Sequence, residues 1–228
     1  MLRLALIIAL GISVVACSER SPKDPDWLLQ SGSKSEKVDY LQELGYSGNT
    51  ANARVVARFL DDSEPEVVSF AAFFVGYLKA REFIPELRRL LGHSDDQVVN
   101  MAASGLREMI DQRDVDLVGD LEKLLSHRYL LARIGGIEGL GKIRSARSTA
   151  LLVDRLERDE PAAKLYAAIS LGEIRDAAAL PALERALVAV KAMDHSSPNK
   201  ARARGTAPHP DLMQDVLEQA ISRISRET

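Results

Sequence analysis

Cysteine is almost missing from this chain, with one in 228 residues, so no internal disulfide framework can hold the fold. Aromatic residues are also few, at 5%. No Cys/His cluster has metal-ligand spacing, and there is neither a glycine-rich phosphate loop nor a nucleophile elbow. No pair of acid-base residues is placed for catalysis, so no enzyme activity, metal, cofactor or small-molecule substrate is expected. Nor is there an excess of positive charge. The formal charge of −3 argues against a general nucleic-acid binder, whose affinity rests on a basic surface. No stretch reads as a strand.

What is present begins at the N-terminus. Met1-Leu2-Arg3 is followed by twelve uncharged residues, Leu4 to Val15, and then by Ala16-Cys17. This reads as an export signal, because a hydrocarbon core needs around 20 apolar residues to span it. The end of the run, Val14-Val15-Ala16-Cys17, resembles a bacterial lipobox. That resemblance implies a signal peptide over 1–16, lipid attachment at Cys17 and a durable hold on a membrane. An ordinary cleaved signal peptide with an incidental cysteine is the alternative. Ser18 after the cysteine, by resemblance to lipoprotein sorting in enteric bacteria, favours the outer over the inner membrane, facing the periplasm. Cleavage would shift the formal charge from −3 to −4, by loss of Arg3. Residues 17–34, rich in Ser, Pro, Gly, Lys and Asp, read as a tether. Trp27-Leu28-Leu29 within it either packs on the first repeat or dips into the bilayer interface, and packing is favoured.

Beyond the tether the chain repeats. Leu44-Gly45, Val75-Gly76, Leu106-Arg107, Leu140-Gly141 and Leu171-Gly172 mark one anchor position, at steps of 31, 31, 34 and 31 residues. Small residues precede it, as Ala71-Ala72, Ala102-Ala103 and Ala167-Ala168. Apolar positions follow it, as Leu87-Leu90-Leu91 and Leu121-Leu124-Leu125. Within a unit the apolar spacing is helical, which predicts two helices of about three turns. Pro65 and Pro161 mark starts of first helices, and Pro85 and Pro181 starts of second helices. The anchor glycines either end the first helix or allow close packing. A repeat of this period is a solenoid, in which stacked neighbours bury what no unit buries alone.

Three segments carry a family likeness: Asp62-Ser63-Glu64-Pro65-Glu66-Val67-Val68, the run from Glu160 through Ala167-Ala168 to Leu171-Gly172-Glu173-Ile174, and Ala178-Ala179-Leu180-Pro181-Ala182-Leu183. They resemble the bilin-lyase-type HEAT-like repeat, over about residues 35 to 190. The resemblance implies an all-α fold, a right-handed α-solenoid of about five two-helix repeats over 35–193. A basic flexible loop over 194–210 and a C-terminal capping helix over 211–228 complete it. The family's basic residue early in the first helix is kept at Lys37, Arg133 and Lys164, and is replaced by Val68 and Val99 in units two and three.

Unit two is the aromatic-rich one. Phe73 and Phe74 lie three and two residues before its anchor, with Phe70, Tyr77 and Phe83 nearby. Phe73, Phe74, Tyr77, Val68 and Val99 are therefore the candidate partner-binding residues, an apolar patch of the kind that marks an interaction site. The competing expectation is that the segment around Trp27 covers this helix, since a helix apolar on all sides is normally buried. His93 and His127 share one repeat position, but adjacent repeats lie about 10 Å apart. Two ligand nitrogens on one zinc lie within about 4 Å, so these histidines read as turn residues. The expected function is a lipid-anchored protein-interaction scaffold in the bacterial cell envelope, binding protein and membrane but no nucleic acid. A structural spacer or an unrecognised lyase-like enzyme is the alternative.

Overall fold

Local chemistry sets where each helix starts. The computed structural model describes residues 24–193 and 208–226, and among these are twelve α-helices and no strand. Pro65 opens α4 (Pro65–Tyr77) and Pro161 opens α10 (Pro161–Ile174), where a missing N–H costs nothing. Ser33 and Glu36 form a reciprocal capping box on α2 (Lys34–Tyr46). Asp95 accepts the N–H groups of Gln97 and Val98 to cap α6 (Asp96–Met109). With α8 (Leu130–Ile143), these are the five first helices.

Each is followed by a second helix: α3 (Ala53–Ala57), α5 (Ile84–Leu90), α7 (Val118–Leu124), α9 (Ala146–Arg158) and α11 (Leu180–Lys191). In units one to three these are shorter than the expected three turns, at 5, 7 and 7 residues. In each of these units a 3-10 turn precedes the second helix: Thr50–Asn52, Arg81–Phe83 and Val115–Leu117. In unit two Pro85 has no N–H to return to the Arg81 carbonyl, which accepts the Ile84 N–H instead. Pro181 has the same effect on the turn Ala177–Ala179 before α11. The first helices stack α2-α4-α6-α8-α10 in one layer, with the second helices behind them. The core is the seam between layers, filled by Leu87, Leu106, Leu121, Ile137, Leu140, Leu152 and Leu171.

The anchor glycines prove to be packing positions. A Cβ on Gly45 would lie 2.0 Å from the Phe74 ring, and one on Gly76 would lie 2.2 Å from the Gly105 Cα. On Gly141 it would lie 2.9 Å from Ser170. Each anchor glycine thus receives the residue two before the next unit's anchor. Glu43, at that position in unit one, has no preceding unit and is exposed. Apart from α6, which leaves through extended backbone at Ile110, the first helices are followed by a left-handed residue three after the anchor. There Gly48, Lys79, Arg144 and Arg175 take positive φ of 67°, 53° to 62° for the three basic residues.

Both ends are capped. The tether expected over 17–34 gives way at α1 (Pro25–Ser31), where Leu28 is fully buried and Trp27 and Leu29 pack on the core. Asp26 pairs with Arg58 of unit one. At the other end α12 (Pro210–Ser225) packs on α10 and α11, and Ala220 lies 2.9 Å from the Cβ position of Gly172. This helix therefore occupies the place of a sixth first helix. Cys17, the 1–16 segment and residues 194–207 lie outside the described residues.

Charges tie the units together. Arg81 pairs with Asp114 at 2.8 Å, Arg107 with Glu138 at 2.6 Å and Arg185 with Glu157 at 2.6 Å. These partners are 33, 31 and 28 residues apart, one repeat rather than one helical turn. Pairs within a helix also occur, as Lys123 with Asp120.

Candidate partner-binding groove

The five residues singled out in the sequence separate into two sets. Phe74, Val68 and Val99 are buried, at 0%, 3% and 0% exposure, and are not surface residues. Phe74 turns inward because glycine at position 45 leaves room for its ring, which no side chain there would allow. Val68 and Val99 occupy the repeat position of Lys37, whose Nζ reaches the Asp62 carboxylate at 2.7 Å with both side chains nearly enclosed. Without an acid partner in reach, an apolar residue is the cheaper occupant of such a site. The cover over Phe74 comes from Gly45 of α2.

Phe73 and Tyr77 remain at the surface, Tyr77 46% exposed and Phe73 half-buried. Tyr46 joins them at 65% exposure. Its ring stands edge-on to Phe74 with centroids 4.9 Å apart, and lies 6.4 Å from Tyr77. Phe73 stacks on Tyr77 at 6.1 Å and packs edge-on to Phe74 at 5.1 Å. The buried Phe74 ring is thus a hub that fixes the orientation of exposed ones around it.

Beside this cluster a groove of about 570 Å³ crosses α2, α4 and α6. Tyr46, Phe70, Phe73 and Met101 supply its apolar wall, and Glu66, Ser69 and Gln97 its polar groups. Ser69 is 3% exposed and its Oγ makes no hydrogen bond. Lys34 holds Glu66 at 2.6 Å at the edge. Such a surface binds by burial and by a few placed polar contacts. Tyr46 was missed in the sequence, although the repeat register carries the signal. Tyr46 and Tyr77 each follow an anchor glycine, and Phe70 and Met101 each lie six residues before an anchor, so stacking brings both pairs side by side.

The histidines are turn residues. His93 Nδ1 accepts the Asp95 N–H at 3.0 Å, and His127 Nδ1 accepts the Tyr129 N–H at 3.1 Å. Among the described residues no cluster of three His, Cys, Asp or Glu side chains is placed to hold a metal, and no helix is long and apolar enough to cross a membrane.

Fold and groove together define a helical-repeat solenoid of HEAT-like units. Residues 163–188, in α10 and α11, match the family model described as PBS lyase HEAT-like repeat. Among solved structures the chain is similar to an engineered protein, with TM-score 0.61 at 18% identity over 91% of this chain and 97% of that one. It is also similar to the YibA protein of Escherichia coli, with TM-score 0.63 at 19% identity over 89% of this chain and 66% of that one. A designed armadillo repeat protein in complex with the peptide (KR)4 gives TM-score 0.58 at 15% identity, over 90% of this chain and all (100%) of that one. At these identities the likeness is one of fold. No curated protein matches the sequence.

Proposed function

We propose that this chain is an exported, lipid-anchored adaptor of the bacterial cell envelope that holds a protein partner on its first-helix layer without turnover. The observation that supports it most is the groove across α2, α4 and α6, where exposed aromatic rings surround a buried one. Aromatic side chains held rigid by a packed neighbour are what concentrates binding energy in protein interfaces. The envelope setting rests on the Leu4 to Val15 run ending in Ala16-Cys17, with Cys17 as the acylated residue and the outer membrane favoured.

In-cell crosslinking with mass spectrometry tests this, with the wild type beside a Tyr46→Ser/Phe73→Ser variant. Tyr46 is exposed and Phe73 half-buried, so the variant is expected to keep its fold, which its helical signal checks, whereas truncating the fully buried Phe74 would empty the core. One dominant envelope partner, lost in the variant, is the expected result. No enriched partner in either would move the reading to a structural spacer.

A further inference from the structure

A second groove, of about 470 Å³, opens at the C-terminal end of the array between α9, α10, α11 and the start of α12. Its wall is aliphatic: Leu156, Ala182, Ala186, Val190, Met193 and Met213 line it, with no aromatic ring among the described residues there. We propose that it binds a long-chain fatty acid, with the acyl chain along this wall and the carboxylate on Lys164.

The repeat itself shows what Lys164 lacks. It stands at the position of Lys37 and Arg133, and each of those bases meets an acid from the turn that closes its own unit. Lys37 holds Asp62 at 2.7 Å, and Arg133 holds Asp159 at 3.5 Å together with Glu160. Among the described residues Lys164 meets no carboxylate. Its Nζ donates to the Glu157 carbonyl at 2.8 Å, which uses one of three protons and leaves the charge uncompensated. The other charged groups of the groove are matched already, Glu157 with Arg185 and Asp159 with Arg133. One cation beside an apolar wall remains, and a carboxylate satisfies it.

The wall selects an acyl chain over a peptide. A peptide laid along it brings an N–H and a C=O with every residue, and stripping these of water without new partners is costly. The polar side chains of the wall are spent on one another. A fatty acid carries its polar atoms at one end only, and methionines such as Met193 and Met213 adapt to a flexible chain. The described residues break off at Met193 and resume at Pro208, both on the groove. The segment between them has one acid, Asp194, against three bases, and no large apolar side chain. Neither its charge nor its composition suits the groove.

The test uses the full chain in nanodiscs of zwitterionic lipid. A diazirine-bearing hexadecanoic acid is crosslinked by light and its sites are mapped by mass spectrometry. The label is expected on Val190, Met193 and Met213. Plain hexadecanoic acid should displace it at least about tenfold more effectively than hexadecanol, which has the chain without the charge. Lys164→Met should cut labelling there about tenfold with the helical signal unchanged. Ala189→Trp, at an exposed position on the groove, should block labelling while leaving Lys164 in place. Equal labelling of the wild type and Lys164→Met, or equal displacement by acid and alcohol, overturns the inference. Absence of label on these residues overturns it too, and label that then appears in Asp194→Asn would assign the groove to the chain's own segment. None of these outcomes touches the aromatic groove or the adaptor reading.

Discussion

Gly76 shows how much one hydrogen atom decides. A methyl group there would meet the Gly105 backbone, which cannot step aside without moving α6. Helix propensity favours alanine by about 1 kcal/mol, but overpacking against backbone costs about 1–3 kcal/mol or more. Gly76→Ala is therefore expected to lower stability by about 2 kcal/mol, whereas Gly119→Ala in α7, with nothing within 4 Å, should raise it by up to about 1 kcal/mol. Urea denaturation of the two variants checks both signs. The sequence displayed this glycine at a fixed period but left its role open, because C-capping and close packing select the same residue. The structure separates them: α4 ends at Tyr77 and turns left-handed at Lys79, while Gly76 packs on Gly105. Lys37 is a second case, where the resemblance marked a basic position and the structure supplies its reason, the enclosed Asp62. Removing one member of a buried pair strands the other, so Lys37→Met should cost about 3 kcal/mol in the same assay.

At the scale of the helix, endings carry the next predictions. Arg144 closes α8 in the left-handed region, at φ 53°, a conformation costing a non-glycine residue about 1 kcal/mol. Arg144→Gly is expected to raise the melting midpoint, by a stability gain of about 0.5–1 kcal/mol. Two helix carboxylates are held below their ordinary range: Glu108, at the end of α6, by the Lys79 ammonium, and Glu218, in the middle of α12, by Lys191 and Gln214. A carboxyl group whose folded pKa is depressed adds stability above its unfolded value, here the ordinary 4.5, and loses it as pH falls through the folded one. The midpoint should thus be flat from about pH 7 to 5 and fall below about pH 4, less steeply in a Lys79→Met variant. The starts of two of the five first helices, α4 and α10, were legible because Pro65 and Pro161 mark them directly. The second helices were not, since a 3-10 turn and an α-helix share the same apolar pattern over so few residues. Helix α1 was hidden by its surroundings: Pro, Ser and Asp read as tether, yet Pro25 and Asp24 also start a helix.

Across the whole molecule, contacts run between neighbouring units, and the ion pairs follow the same one-repeat step. Damage at one end should stay local. Leu217 is fully buried in α12, so Leu217→Asp is expected to loosen the last unit. Hydrogen exchange should then rise in α10 and α11 while α4 and α6 keep their protection. The repeat count was legible from five anchors, but the exposed groove was legible only in part. Phe73 and Phe74 are adjacent letters pointing opposite ways, and which one faces water depends on a glycine 29 residues earlier.

The fit of Ala220 against Gly172 has a consequence for length. The cap joins the last unit by the glycine contact that also joins unit one to two, two to three and four to five, so that joint carries no feature that counts the members of the array. A duplicate of residues 142–172, spliced in directly after Gly172, presents the same surface to α12 as the original. The expected product is a folded chain one step longer, about 10 Å at ordinary helix spacing. In that sense the chain is built as a ruler with a movable end.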